Sequence, residues 1–108
     1  MSGLARGEIW LVQLDPTIGS EIQKTRPCVV ISPAEMHDFL RTVIIAPMTT
    51  GSRPAPFRIP ITHGGKKGLI LLDQIRSAAK ARLVKKVGAV SAKTLRTTLT
   101  TLQEQFAE

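Results

Sequence analysis

Short apolar runs, each closed by glycine, proline or polar residues, constrain this chain more than any other feature. Six runs show the alternating or continuous apolar and β-branched pattern of strands: residues 8–14, 28–31, 43–46, 57–61, 68–72 and 83–90. The first is apolar on both faces, which predicts a central strand, and Pro60 in the fourth predicts an edge or a bulge. We therefore expect a small, strongly bent antiparallel sheet or barrel.

Two helices are predicted beside this sheet. Ser32, Pro33 and Glu35 fit an N-cap, a first helical position and a capping-box residue, so a short helix should begin here. After Ser91, apolar residues recur at helical spacing and predict a longer closing helix with one apolar stripe: Leu95, Leu99, Leu102 and Phe106.

The length of 108 residues and the hydrophobic share of 43% fit one domain, residues 1–108. No run reaches the roughly 18 apolar residues of a membrane span, and the first residues lack a signal-peptide pattern, so a cytoplasmic protein without membrane contact is expected. Cys28 is the only cysteine. Neither a disulfide framework nor a cysteine-rich zinc site fits within one chain, and a buried core thiol is expected.

The charge is unevenly distributed. The net charge is +7, and between Phe39 and Gln103 twelve lysines and arginines accompany a single acid, Asp73. Such a field attracts polyanions, and nucleic acid or an acidic protein is the plausible partner. A surface tuned only for solubility is the alternative.

Most catalytic patterns are absent from the sequence. The acids are scattered and the two histidines, His37 and His63, stand far apart, so no metal site and no cofactor are predicted. Phosphate-loop, dinucleotide and serine-hydrolase motifs are also missing. The histidines are interpreted as ordinary surface residues, with an acid and base pair acting on RNA as the alternative.

Two polar segments remain. Residues 15–21 lead to Arg26, which is followed by Pro27 and a buried strand, so its guanidinium is well placed to grip a phosphate. Residues 48–53 follow the third run, where hydroxyls suit phosphate oxygens. Each segment also fits ordinary turn chemistry.

These segments resemble a known family. Arg6-Gly7-Glu8-Ile9-Trp10, Leu14-Asp15-Pro16-Thr17, Gly19-Ser20-Glu21, Arg26-Pro27, Pro47-Met48-Thr49-Thr50 and Leu72-Asp73-Gln74-Ile75-Arg76-Ser77 resemble, in order, motifs of the MazF/PemK toxin endoribonucleases. The resemblance implies a mainly β fold with α-helices, an SH3-like, CcdB-like small antiparallel barrel with a short and a C-terminal helix. It also implies a homodimer that cuts single-stranded RNA and is neutralised by an acidic antitoxin.

Carried over by position, Arg26 and Thr49 match the family's catalytic arginine and threonine, and Ser20 and Glu21 match residues that shape the site. RNA contacts are expected from six residues on the loops and motifs: Thr17, Thr50, Arg53, Asp73, Gln74 and Arg76. Kid-like members have a histidine before the equivalent of Glu21 and an arginine two residues before the equivalent of Asp73. Ser20 and Leu71 stand there in this chain, which argues against Asp73 as the base.

The implied reaction is attack of a ribose 2′-hydroxyl on the adjacent phosphate, giving 2′,3′-cyclic phosphate and 5′-hydroxyl ends. Arg26 suits charge stabilisation better than proton transfer, because an arginine is a poor base at neutral pH. Two alternatives stay open. One is a non-catalytic toxin of the same fold that poisons a protein such as gyrase, although its Trp-Gly-Ile chain end is absent here. The other is a plain RNA-binding barrel.

Overall fold

A computed structural model describes residues 4–15, 19 and 24–108, and within these ranges the protein has seven strands and two α-helices. The strands are β1 (Glu8–Gln13), β2 (Thr25–Val30), β3 (Thr42–Thr49), β4 (Arg58–His63), β5 (Lys66–Leu71), β6 (Arg76–Ala79) and β7 (Leu83–Ala89). The helices are α1 (Ala34–His37) and α2 (Ala92–Gln105), and 3₁₀ turns cover Leu72–Gln74 and Lys80–Arg82. The protein is mainly β with a closing helix, which confirms the predicted fold class.

All strand pairs of the sheet are antiparallel, and the order is β4-β5-β3-β2-β1-β7, with β6 also paired to β3. β3 changes partners along its length. Its first half pairs with β6, where Val43 lies opposite Ala78, and its last residues pair with β5, where Thr49 lies opposite Leu69. Because one strand serves both parts of the sheet, the sheet bends at β3 and curls into a half-barrel.

Each of the six predicted strands is present, with shifted ends. β3 continues to Thr49, so the second polar segment begins inside a strand rather than after it. Pro60 lies in β4, which is at one end of the strand order, and this confirms the predicted edge position. β6 was not predicted, because its residues Arg76–Ala79 lack the apolar alternation of a strand and pair only through tertiary contact with β3.

Side chains pack on both faces of the curled sheet. A cluster of nine buried residues, of which Leu102 comes from α2, packs on one face: Ile9, Val29, Ile31, Ala46, Met48, Ile59, Ile70, Leu72 and Leu102. The other carries eight: Leu4, Val12, Leu14, Cys28, Val30, Val43, Ile45 and Ala78. Cys28 is fully buried, and burial raises the pKa of its thiol to about 12 although Arg76 opposes the shift. The expectation of a buried core thiol is confirmed.

The start of α1 differs from the prediction. Pro33 is the cap position, and no side chain caps the helix. Ser32 is buried instead, where its Oγ accepts the backbone N–H of Ile44 at 3.0 Å and bonds Nε2 of His37 at 2.8 Å. Since the carbonyl oxygen of Leu4 can only accept, Nδ1 of His37 donates to it at 2.9 Å. The surface interpretation of His37 was therefore wrong: this side chain is 2% exposed and anchors α1.

The closing helix α2 begins as predicted. The Oγ of Ser91 accepts the backbone N–H of Thr94 at 3.1 Å, which caps the first turn. Leu102 is buried against the sheet, but Phe106 lies past the last helical residue and is 70% exposed, so its place in the apolar stripe was wrong. No helix in the described part of the chain has the length and apolar character needed to cross a membrane.

Glu8 is a buried carboxylate that joins β1 to its neighbours. Its Oε1 accepts the backbone N–H of Ala5 and the indole N–H of Trp10, each at 3.0 Å. Its Oε2 lies 3.0 Å from Nζ of Lys86. Burial alone raises the pKa of a carboxyl group, but these donors together outweigh it, and the pKa of Glu8 is lowered.

We expect Glu8→Gln to lower the free energy of unfolding at pH 7 by on the order of 1 kcal/mol. The contribution of Glu8 is complete above the unfolded pKa of about 4.3 and is lost as the pH falls through the lower folded pKa. The gap between wild type and variant should therefore shrink below about pH 4 in urea unfolding curves. Glu35→Gln, at an exposed position of α1, is the matched control. A gap that stays constant in acid would contradict this account.

Candidate active site

The two residues expected to carry the chemistry lie where β2 and β3 separate. The ladder between these strands ends with Cys28 opposite Pro47. Beyond it, β3 turns to pair with β5, whereas β2 stays beside β1 with Arg26 opposite Val12. Arg26 and Thr49 are therefore each two residues past the last pair, one on each side of the gap. Two positions far apart in sequence therefore lie on the two strands that border this gap.

Thr49 is held by the turn that follows it. Its side chain is half-buried, and its Oγ1 accepts the backbone N–H of Gly51 at 3.2 Å. Because that bond uses an acceptor lone pair, the hydroxyl proton can still be donated. Arg26 is exposed near the start of β2, whose residues from Cys28 to Val30 are in the core. Thr50 and Arg53 follow Thr49 and are also exposed.

Asp73 lies in the 3₁₀ turn after β5, and both of its carboxylate oxygens accept hydrogen bonds from Arg58. Arg58 was not among the predicted site residues. Arg58 donates from Nε to Oδ1 at 3.1 Å and from Nη2 to Oδ2 at 3.0 Å, and its Nη1 donates to the carbonyl oxygen of Arg53 at 3.0 Å. The hydrogen bond from Arg58 lowers the pKa of Asp73. The fork thus fixes an ionised carboxylate and ties it to the loop between β3 and β4.

Two more arginines hold the end of β1. Arg76 donates to the carbonyl oxygen of Leu14 at 3.2 Å, and Arg82 donates to the carbonyl oxygens of Gln13 and Asp15. The carboxylate of Asp15 in turn accepts the backbone N–H of Lys24 at 3.0 Å. Charge-assisted bonds from Arg76 and Arg82 therefore fix the chain at residues 13–15, and Asp15 holds Lys24 at the start of β2. Arg82 was not among the predicted residues.

The remaining predicted residues fall into two groups. Gln74 is half-buried in the turn that carries Asp73. Thr17, Ser20 and Glu21 lie outside the described residues. Within the described ranges, no group of three or more histidine, cysteine or acidic residues is arranged to hold a metal ion.

A family model described as the PemK-like, MazF-like toxin of type II toxin-antitoxin systems matches residues 5–106. The chain belongs to this family.

Relatives of this PemK/MazF-like toxin chain are named endoribonucleases. The endoribonuclease PemK of Escherichia coli is 40% identical over 81 residues, which cover 70% of this chain and 61% of PemK. The chain thus matches less than two thirds of the length of PemK. The endoribonuclease toxin MazF of Escherichia coli K12 is 36% identical over 86 residues, which cover 79% of this chain and 78% of MazF. The prediction of an RNA-cleaving enzyme is confirmed at the level of the family.

Solved structures show the same fold. MazF from Deinococcus radiodurans has a TM-score of 0.83 at 23% identity, with 94% of each chain covered. A MazE–MazF structure from the same organism has a TM-score of 0.78 at 21% identity, with 96% of this chain and 95% of that chain covered. The half-barrel of the PemK/MazF-like chain is therefore the fold of MazF toxins.

The Arg58–Asp73 fork is testable. We expect Arg58→Lys to raise the pKa of Asp73 toward its ordinary value, because a lysine keeps the charge but not the two-pronged hydrogen bond. Carboxyl-carbon NMR titration of Asp73 measures the shift. Arg53→Lys is the matched control, since Arg53 contributes only its backbone carbonyl. An Asp73 pKa that is equal in wild type and Arg58→Lys would contradict the role of the fork.

Proposed function

We propose that this chain is the toxin of a type II toxin-antitoxin pair and that it cuts single-stranded RNA, mRNA above all, at short sequences without a metal or cofactor. Such cleavage removes templates for translation and arrests growth. The observation that carries the proposal is the position of Arg26 and Thr49 on the two sides of the gap between β2 and β3. The family's endoribonucleases add to its support.

In the proposed reaction, the ribose 2′-oxygen forms a bond to phosphorus and the bond from phosphorus to the 5′-oxygen breaks. The proton of the 2′-hydroxyl is released and the leaving 5′-oxygen gains one, which yields 2′,3′-cyclic phosphate and 5′-hydroxyl ends. The substrate supplies its own nucleophile, so the protein must orient the phosphodiester and stabilise added negative charge. Arg26 binds the phosphate oxygens and Thr49 donates to one of them.

The other predicted residues are proposed to surround this centre. Ser20 and Glu21 shape the site, whereas RNA contacts come from Thr17, Thr50, Arg53, Asp73, Gln74 and Arg76. The low pKa of Asp73 supports a role as a fixed hydrogen-bond acceptor, because a carboxylate of lowered pKa is a weaker base. Proton transfer is therefore not assigned to Asp73.

The test is incubation of a long single-stranded RNA with the purified chain in EDTA, followed by analysis of the fragment ends. We expect cyclic-phosphate and 5′-hydroxyl ends, and we expect the fragments to cluster at a short sequence. RNA left intact by the wild-type protein would refute the enzyme and favour RNA binding or a protein target.

An acidic antitoxin is the proposed protein partner, and a homodimer in the cytoplasm, with residues 1–108 as one domain, is the proposed form. MazE–MazF structures share this fold, and the net charge of +7 favours an acidic partner. Binding of the antitoxin should weaken as salt rises, and it should compete with RNA. Titration at several salt concentrations tests this, and affinity indifferent to salt would count against it.

A further inference from the structure

A row of side chains leads away from Thr49 across β5 and β4. Thr49 lies opposite Leu69 of β5, and Leu69 lies opposite Pro60 of β4. The next pair on the same face, toward the turn between β4 and β5, is Thr62 with Lys67, because alternate residues of a strand share a face. Lys67 is therefore on the face of the sheet that carries Thr49.

Arg26 belongs to this face as well. Cys28 on β2 lies opposite Pro47 on β3, so their side chains share a face. Arg26 stands two residues before Cys28, and Thr49 stands two residues after Pro47, so both continue that face past the end of the ladder. The proposed cleavage centre and Lys67 thus lie on one face of the curled sheet.

An open groove of about 330 Å³ lies beside Lys67. It is lined by Pro60, Ile61, Thr62, Lys67 and Gly68. Of these, Pro60, Thr62 and Lys67 are exposed and belong to the face described above. The proline offers apolar surface, whereas the hydroxyl and the ammonium are hydrogen-bond donors that suit phosphate oxygens. The lining therefore fits the sugar and phosphate of one nucleotide.

The charge of Lys67 is free to attract an anion. The other cation that β4 and β5 place on this face is Arg58, which is paired with the carboxylate of Asp73. The second ion pair among the residues that the structure describes joins Lys86 to Glu8. Within those residues, no carboxylate pairs with Lys67. Lys67 thus leaves the groove positively charged.

Thr49 and Lys67 are diagonal neighbours across β3 and β5, and such residues lie about 7–8 Å apart. Neighbouring phosphates of an RNA strand have a similar spacing. We propose that Lys67 binds one of the two phosphates that flank the cleaved one, with the attached nucleotide in the groove. The inference rests on the proposed endoribonuclease function and adds to it a substrate-binding residue. Lys67 takes no part in the bond changes at phosphorus.

The test uses an oligonucleotide with a single ribonucleotide at a cleavage site mapped on a long RNA, and deoxyribonucleotides elsewhere. Two further versions carry a neutral methylphosphonate in place of the phosphate on one or the other side of the cleaved one. We expect Lys67→Gln to raise KM on the unmodified oligonucleotide by roughly 5- to 10-fold at low salt, with kcat nearly kept. The reason is that the contact is equal in the ground state and the transition state.

On one of the two methylphosphonate versions, the wild-type protein should show a similar rise in KM, whereas Lys67→Gln should change by less than about 2-fold. Lys66→Gln is the matched control, because it removes the same charge from the preceding residue, whose side chain lies on the other face of β5. It should keep the wild-type KM and the wild-type response to methylphosphonate. Lys67→Arg should recover most of the binding, since a guanidinium also binds phosphate. Thermal unfolding of each variant checks that the fold is intact.

Three results would overturn the inference. If wild type and Lys67→Gln respond equally to methylphosphonate at both positions while wild-type cleavage is intact, the phosphate contact is refuted and the proposed function stands. An equal rise in KM for Lys66→Gln and Lys67→Gln would assign the effect to general charge. Absence of cleavage of long RNA by the wild-type protein would refute the proposed function, and the phosphate contact with it.

Discussion

Arg26→Ala is expected to slow RNA cleavage by at least about 100-fold, because it removes a preorganised donor from the charge that develops on the phosphate. Arg26→Lys should recover only part of the rate, since lysine keeps the charge but cannot offer two parallel N–H groups. Single-turnover cleavage of a labelled oligonucleotide measures both rates. Because Arg26 is exposed, the melting temperature should change little.

Arg96→Ala on the exposed side of α2 removes the same charge away from the site and is the matched control. It should cleave RNA within a few-fold of wild type. If Arg26→Ala also stays within about 3-fold of wild type, Arg26 does not stabilise the transition state and the catalytic centre lies elsewhere.

Gly68→Ala should damage both stability and activity, because β5 runs unusually close to β3 at this residue. A Cβ on residue 68 would lie 2.7 Å from the carbonyl oxygen of Thr49 and 3.3 Å from its carbonyl carbon. Relief of this clash requires a backbone shift, which typically costs about 1–3 kcal/mol. The shift displaces Thr49, and a displacement near 1 Å can lower a rate by roughly 100-fold.

Urea unfolding and cleavage kinetics of Gly68→Ala test both parts of this prediction. Gly51→Ala is the control: it also lies beside Thr49, but its added Cβ would be 4.0 Å from Oγ1, which is an ordinary contact. Gly51→Ala keeps the N–H that Thr49 accepts and should retain both stability and rate. A Gly68→Ala protein equal to wild type in both measurements would show that β3 and β5 can separate without effect on the site.

The position of Arg58 determines which guanidinium lowers the pKa of Asp73. Arg58 pairs with Leu71 across β4 and β5, and Leu71 stands where Kid-like members have their arginine. Here the guanidinium beside the carboxylate comes from the neighbouring strand, and it donates to both oxygens of Asp73. The lowered pKa of Asp73 agrees with the sequence-based argument against this residue as the base.

The sequence by itself determined most of the described strands and both helices, and it supplied the proposed site. Apolar periodicity is local, so six of the seven described strands and the closing helix α2 were predictable. The proposed site residues Arg26 and Thr49 come from the order of motifs. β6, the buried Ser32–His37 pair and the exposure of Phe106 were not predictable. Each of these three features depends on which distant residues the segment packs against. A local sequence pattern carries no information about those residues.

Only the tertiary structure decided how the site is assembled. Arg58 reaches Asp73 across fifteen positions of sequence, and Arg82 reaches Asp15 across sixty-seven. No local pattern links such distant residues. Likewise, the gap that separates Arg26 from Thr49 arises because β3 leaves β2 to pair with β5. The sequence indicated the proposed reactive residues because their motifs are local, whereas their arrangement depends on which strands pair and where the sheet bends.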